Sequence, residues 1–273
     1  MNMDLQDTTF IIPVRIDSVA RLENLIATVA SILSCCQTEI RILEAAPYAN
    51  GLIPRLIQSD QVSYLFRCDK DPVFHKTRWL NEMAREVTTP YICVWDADVL
   101  IAPMQIEEAM RALRTDTCDI AYPYDGDFLD TSDILRAHYL VHQDLSYLLR
   151  HSGKMNSLYT VEGVIGAVGG AFFAKTEKYK AAGMENEDFY GWGLEDGERH
   201  YRWLEFGYRI YRASGCMFHL SHPRDLNGGF RSKAHGEKAV HDMNRVVDYS
   251  RQELKKIIEI EQRSFSVCIS INN

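Results

Sequence analysis

The chain has 273 residues, 46% of them hydrophobic and 25% charged, with a formal net charge of −8. That is ordinary globular material with enough apolar residues for a substantial core. The acidic balance argues against non-specific nucleic-acid binding, and no apolar run approaches the roughly 20 residues that a membrane span needs. Seven scattered cysteines, with only Cys35 and Cys36 adjacent on an expected helix and no C-x-x-C, exclude a disulfide framework and suit buried thiols in a reducing compartment. Met1–Thr9 is polar and acidic and lacks the features of a signal peptide. The protein is therefore expected to be soluble and cytoplasmic. A polyanionic ligand would need a metal or a few local cations to be held on so acidic a chain.

Phe10–Val14 reads as a first buried strand, with Pro13 marking its end because proline cannot donate a ladder hydrogen bond. Asp17 or Ser18 then caps a helix whose face is Leu22, Leu25, Ile26, Val29 and Leu33. Glu39–Glu44 and Val62–Phe66 are short strands. A helix is expected over Val73–Glu86, and Tyr91–Trp95 is a fourth strand, short, apolar and rich in β-formers. Pro103 opens a helix to Arg114, Asp119–Tyr122 is a strand, and Thr131–Leu149 reads as one long helix. Gly163–Gly170 carries four glycines in eight residues, ahead of an apolar Ala171–Ala174, which suggests close backbone approach. Gly183–Gly197 looks like a binding loop entering a helix at Glu195–Phe206. Tyr208–Tyr211 and Cys216–His219 are short strands, and Gly236–Gln262 is a long amphipathic helix. This alternation implies an α/β sandwich with a mixed, mostly parallel sheet.

The chemistry-bearing residues fall at strand ends. Arg15 and Asp17 follow the first strand, Glu44 ends the second, and Asp96 and Asp98 end the fourth. In a parallel sheet these ends lie along one edge, where ligands of open α/β sheets bind. Two aspartates there are hard oxygen ligands for a divalent cation; an Asx turn closing the strand is the competing reading. His219-Leu220-Ser221-His222 offers two imidazoles three residues apart, suited to a metal or simply two ordinary histidines. In Gly191-Trp192-Gly193-Leu194-Glu195-Asp196 the glycines permit a bent loop and Trp192 gives a flat face for a sugar ring. Its two acids sit at a helix N-terminus, where the dipole favours their ionised form.

The order Phe74-His75-Lys76-Thr77-Arg78-Trp79-Leu80-Asn81, Asp96-Ala97-Asp98, Gly169-Gly170, Gly191-Trp192-Gly193-Leu194-Glu195-Asp196 and His219-x-x-His222-Pro223-Arg224-Asp225 resembles the GT-A glycosyltransferases. The front half is similar to family 2. The back half is similar to the galactosyltransferase C-terminal region of β-1,4-galactosyltransferases, polypeptide GalNAc-transferases and chondroitin polymerases. The resemblance implies one GT-A (nucleotide-diphospho-sugar transferase) domain over 1–273. Residues 1–100 form its nucleotide-binding half, 101–232 its acceptor and catalytic half, and 233–273 a helical extension.

It also implies roles. Asp98, His222 and His219 would ligate Mn²⁺ or Mg²⁺, and Asp96 would contact the ribose or the metal. Pro13, Val14, Arg15 and Glu44 would line a uridine pocket, with Asp17, Arg78 and Asn81 near it. Gly170 would let the donor sugar approach, Trp192 would face both sugars, Glu195 would contact the donor and Asp196 would be the catalytic base. The family's run of acids is interrupted by Gly197, which puts the identity of the acceptor in question. The implied reaction is inverting transfer of a Gal- or GalNAc-type sugar from a UDP-sugar to a glycan hydroxyl. A nucleotide-sugar pyrophosphorylase is a rival, opposed by the absence of glycine in Pro13–Asp17. A non-catalytic sugar- or partner-binding module on the same fold is another. The apolar face of the C-terminal helix (Val240, Met243, Val247, Leu254, Ile257, Ile258) suits packing on the domain, a homodimer surface or a peripheral membrane contact.

Overall fold

The computed structural model describes residues 2–158 and 166–258. Gly163 and the end of the helix expected to reach Gln262 lie outside the described residues. In chain order the elements are β1 (Met3–Val14), α1 (Val19–Cys35), β2 (Cys36–Ala46), α2 (Ile53–Leu56), β3 (Val62–Cys68), α3 (Lys76–Arg85) and β4 (Tyr91–Trp95). Next come β5 (Val99–Leu100), α4 (Pro103–Arg114), β6 (Ile120–Tyr122), β7 (Phe128–Asp130), α5 (Asp133–His142), α6 (Leu145–His151) and β8 (Asn156–Ser157). The chain continues with β9 (Ala171–Lys175), α7 (Thr176–Ala181), α8 (Glu195–Glu205), β10 (Ile210–Arg212), β11 (Met217–His219) and α9 (Lys233–Asp248).

The main sheet has the order β10-β6-β9-β4-β1-β2-β3. It is mixed: β1 runs parallel to β2 and β4, whereas β9 runs antiparallel to β4 and β6. Phe10, Ile11 and Ile12 of the central β1 are all fully buried, as expected of a strand with parallel neighbours and cover on both faces. A second sheet, β5-β11-β7-β8, stands beside it. Ser18 caps α1 by accepting from the Arg21 amide at 3.3 Å. Buried Asn24 on α1 donates to the Leu220 carbonyl at 2.7 Å, which fixes the exit of β11 against the first helix.

Three expectations are corrected. The single helix over Thr131–Leu149 is two. Gln143 takes the left-handed conformation (φ 50°) and closes α5, and the Asp144 carboxylate accepts from the Tyr147 amide to open α6. The apolar spacing runs through this break, with Tyr139 and Leu148 in one buried cluster, so periodicity alone could not reveal it. Cys36 begins β2 instead of ending the helix, and both thiols are free, with the sulfurs 3.4 Å apart. The C-terminal helix is also interrupted: α9 stops at Asp248, and a new helical stretch over 251–258 opens where Glu253 accepts from the Ser250 amide and hydroxyl.

Of the C-terminal apolar face, Leu254 and Ile258 are buried in the main core and Val240 is 50% exposed. Among the described residues no helix is long and apolar enough to cross a membrane. The left-handed Gln143 supplies a stability test. Such a conformation costs an L-residue about 1–2 kcal/mol, against about 0.5–1 kcal/mol for the extra freedom of glycine in the unfolded chain. Gln143→Gly should therefore stabilise the protein by about 0.5 kcal/mol in urea unfolding; a loss of stability would show that the Gln143 side chain holds the break.

Candidate active site

The registers of the second sheet build one end of the site. On β11, His219 stands opposite Val99 of β5 and beside Asp130 of β7. Val99 directly follows Asp98, whose carbonyl accepts from the Leu220 amide at 2.8 Å. Asp98 thus arrives next to His219, and one turn of chain brings back His222. Ligand atoms of Asp98, His219 and His222 all lie within 4.8 Å of one another.

The hydrogen bonds aim both imidazoles. Nδ1 of His219 is 2.7 Å from Asp130 Oδ1, and Nδ1 of His222 is 2.8 Å from the Pro223 carbonyl. Both partners are acceptors, so both Nδ1 atoms carry hydrogen. Each Nε2 then faces Asp98 Oδ2, at 3.6 Å from His219 and 2.9 Å from His222. In neutral rings, two nitrogen lone pairs and a carboxylate oxygen would converge on one point, an arrangement that demands a cation. Orientation of a ligating ring by hydrogen-bonding its other nitrogen is the usual support of a metal site. With only protons to answer that demand, burial depresses the His219 pKa, yet Asp98 and Asp130 outweigh it and raise the value to about 9. Burial likewise opposes ionisation of Asp98, but the two histidines hold it well below the usual carboxylate range. The donor set of one hard oxygen and two borderline nitrogens suits Mn²⁺ or a similar divalent ion.

The other end comes from α3, β4, β9 and α8. Asp96 leaves β4 with its amide bonded to the Gly170 carbonyl at 2.8 Å, just before β9. Its carboxylate meets Lys76 Nζ at 2.7 Å. Burial disfavours the Lys76 charge, but Asp96, Asp196 and Glu195 together raise its pKa above the ordinary lysine value. Glu195, 6% exposed, accepts from the Gly193 amide at 2.9 Å, and burial followed by the Asp196 charge lifts it to about 7. Asp196 Oδ1 accepts from Arg199 at 2.8 Å. Its Oδ2 takes no hydrogen bond from a described protein group and lies against Gly169, where a Cβ would come within 2.1 Å of it. Gly170 (φ 78°) is equally constrained, since a Cβ there would meet Met217 at 2.4 Å.

The loop before α8 is clamped to the segment after His222. Gly191 pairs with Phe230, the Trp192 amide donates to the Gly229 carbonyl at 3.0 Å, and a Cβ on Gly191 would lie 2.5 Å from that same carbonyl. Trp192 is 40% exposed with the Arg224 guanidinium 4.8 Å above its ring. Leu194 caps α8 in the left-handed conformation at φ 66°, a strained state for a leucine of the kind that clusters at functional sites.

One cleft collects Pro13, Val14, Arg15, Asp96, Asp98, Gly170, Trp192, Glu195, Asp196, His219 and His222. Four of the expected residues do not line it. Glu44 is fully buried and takes the Tyr64 hydroxyl at 2.6 Å. Asn81 is buried and binds the carbonyl and amide of Glu185. Arg78 stacks on Trp79, and Asp17 is occupied by Arg21 and Asn227. Arg15 lines the cleft but spends its donors on Ala45, Asp69 and Asp71. Sequence reasoning missed Lys76, Arg21, Phe74, Arg224 and Asn227, all part of the lining. Lys76 had a signal: it is the first residue of α3, where the helix dipole disfavours a cation unless carboxylates face it.

Residues 154–224 match the family model described as the N-terminal domain of galactosyltransferase. That segment holds Gly169, Gly170, the loop to Asp196 and both histidines. Among solved structures the chain is similar to Drosophila β-1,4-galactosyltransferase 7 in complex with manganese, UDP-Gal and xylobiose. The TM-score is 0.55 at 14% identity, over 87% of this chain and 79% of that one. It is similar also to glucosyl-3-phosphoglycerate synthase from Mycobacterium tuberculosis in complex with Mn²⁺, UDP and phosphoglyceric acid. Here the TM-score is 0.52 at 11% identity, over 88% and 78% of the two chains. The chain has the GT-A glycosyltransferase fold. With the galactosyltransferase segment, it is an enzyme of the transferase class. No curated protein matches its sequence.

The raised imidazole of His219 gives a pH test for the GT-A protein stripped of divalent ions. Its folded value of about 9 lies above the unfolded 6.5. Its stabilisation is therefore complete below pH 6.5 and is lost as pH rises through 9, with an upper limit on the order of 3 kcal/mol. Urea unfolding of metal-free protein should show that loss, and His219→Asn should remove most of the slope, leaving the smaller fall from Glu195 near pH 7. A flat profile between pH 6.5 and 9 in the unmodified protein would contradict the paired geometry.

Proposed function

We propose that this chain is a divalent-metal-dependent, inverting glycosyltransferase that moves a Gal- or GalNAc-type sugar from a UDP-sugar to a glycan hydroxyl, with Asp196 as general base. The observation that carries this reading is the polarity of one cleft. At one end ligand atoms of Asp98, His219 and His222 converge within 4.8 Å of one another; at the other Asp196 keeps one carboxylate oxygen free of hydrogen bonds from the described protein groups. The ligands held by the two structural neighbours, Mn²⁺ with a uridine nucleotide, support the same reading.

Asp98, His219 and His222 would hold the ion, which when bound offsets the charge developing on the leaving diphosphate. Pro13 and Val14 present backbone and a small apolar surface to the nucleotide. Asp96, fixed by Lys76, turns toward the donor between the metal end and the sugar. Gly170 leaves room for the sugar ring and Trp192 gives it an apolar face. Glu195, half-protonated near neutral pH, can both donate to and accept from donor hydroxyls. Asp196 Oδ2 removes the proton of the acceptor hydroxyl as that oxygen attacks the anomeric carbon, and a single base opposite the leaving group yields inversion. The free thiols support a cytoplasmic setting, and the chain is one GT-A domain over 1–273, with the helical extension from 233 as part of it.

UDP release from a panel of UDP-sugars tests the reading without a known acceptor, because slow donor hydrolysis suffices. One donor should turn over with Mn²⁺ and stop with EDTA. Asp98→Ala should abolish turnover and metal-dependent UDP binding. Asp196→Asn should keep binding but lower kcat about 10²- to 10⁴-fold, the usual contribution of a positioned base. UDP binding that is indifferent to EDTA, with no turnover of any donor, would instead identify a binding module.

A further inference from the structure

We infer that Arg199 is a positioning residue for Asp196, holding one carboxylate oxygen so that the other stays directed to the acceptor; this rests on the proposed base role of Asp196. Arg199 lies one turn after Asp196 on α8 and is 1% exposed. Its Nη2 donates to Asp196 Oδ1 at 2.8 Å and to the Val168 carbonyl at 3.1 Å. Its Nη1 donates to Glu185 Oε2 at 2.8 Å. The guanidinium plane is packed by Phe172 at 4.5 Å and Trp203 at 5.2 Å.

Glu185 is fixed in turn. It is 3% exposed, its Oε1 takes the Tyr179 hydroxyl at 2.7 Å, and its backbone is held by Asn81. A chain of partners therefore runs from Tyr179 through Glu185 and Arg199 to Asp196. The same Nη2 also bonds the carbonyl of Val168, the residue before Gly169. Because Gly169 carries no Cβ, Asp196 Oδ2 can sit where one would stand. A surface ion pair would leave the carboxylate several rotamers. This buried fork leaves one, and a misplacement on the order of 1 Å at a reacting group can cost about 100-fold in rate.

The test uses two variants of the full chain. R199K keeps the charge but cannot fork between two carboxylates. R199M combined with E185Q removes both buried charges together, so neither is left unpaired. With Mn²⁺ and the active UDP-sugar, the double variant should lose about 100-fold in kcat while the donor KM stays within about 3-fold, and R199K should fall between it and the unmodified enzyme. Wild-type kcat in the double variant would overturn the inference. So would a parallel loss of kcat, UDP affinity and melting temperature, which marks a merely structural ion pair. If Asp196→Asn itself retains wild-type kcat, the base assignment fails and the positioning role with it. If Asp196→Asn is impaired and the double variant is not, the positioning role alone fails.

Discussion

Lys76 is the cation on which the cleft depends. Asp96, Glu195 and Asp196 are brought together from two elements remote in sequence, and burial makes their mutual repulsion costly. The Lys76 ammonium, 2.7 Å from Asp96, faces all three. Its position is set by the start of α3, and that start is itself built into the wall of the cleft. Next to Lys76, Thr77 donates to the Phe189 carbonyl at 3.0 Å, and His75 stacks on Tyr190 with ring centroids 3.8 Å apart. One turn further, Asn81 braces Glu185. The first two turns of α3 therefore orient the loop that delivers Trp192, Glu195 and Asp196, besides supplying the counter-charge those acids need.

The metal-type end rests on a different constraint, the register of three very short strands. A shift by one residue in β11 would turn His219 to the opposite face. Parallel pairing with β7 and antiparallel pairing with β5 over-determine that register. The two ends of the cleft are joined where Asp96 bonds to Gly170 at the β4–β9 seam, so both carboxylates of Asp96-Ala97-Asp98 inherit their places from one strand. That strand is the best-buried kind, apolar on both faces.

Much of this was legible in the sequence because it depends on local chemistry. Tyr91–Trp95 is a strand over the residues expected, Ser18 caps the first helix, and Pro103 opens α4. Strand-end logic placed Asp98 at the edge of the sheet, but its convergence with the two histidines was legible only through the family resemblance, because β11 belongs to the second sheet. Glu44 shows where that logic stops. The strand runs on to Ala46, and Tyr64 on the neighbouring strand captures the Glu44 carboxylate; no pattern in one sequence reports cross-strand partners. The resemblance implies a place for Asn81 near the uridine pocket, whereas the fold uses it to brace a loop more than a hundred residues away. Arg199 carried no signal at all. An arginine on a helix beside glutamates reads as solvated charge, and only the packing of Phe172 and Trp203 makes it buried.

The arrangement of one free carboxylate oxygen opposite a metal-type site makes a stereochemical commitment. Proton NMR of the sugar first released from an α-linked UDP-hexose by metal-dependent hydrolysis reads it directly, before the anomers equilibrate. A single base at Asp196 predicts that the β-anomer accumulates first. Initial release of the α-anomer would contradict that placement of the base and require a different chemistry in the cleft.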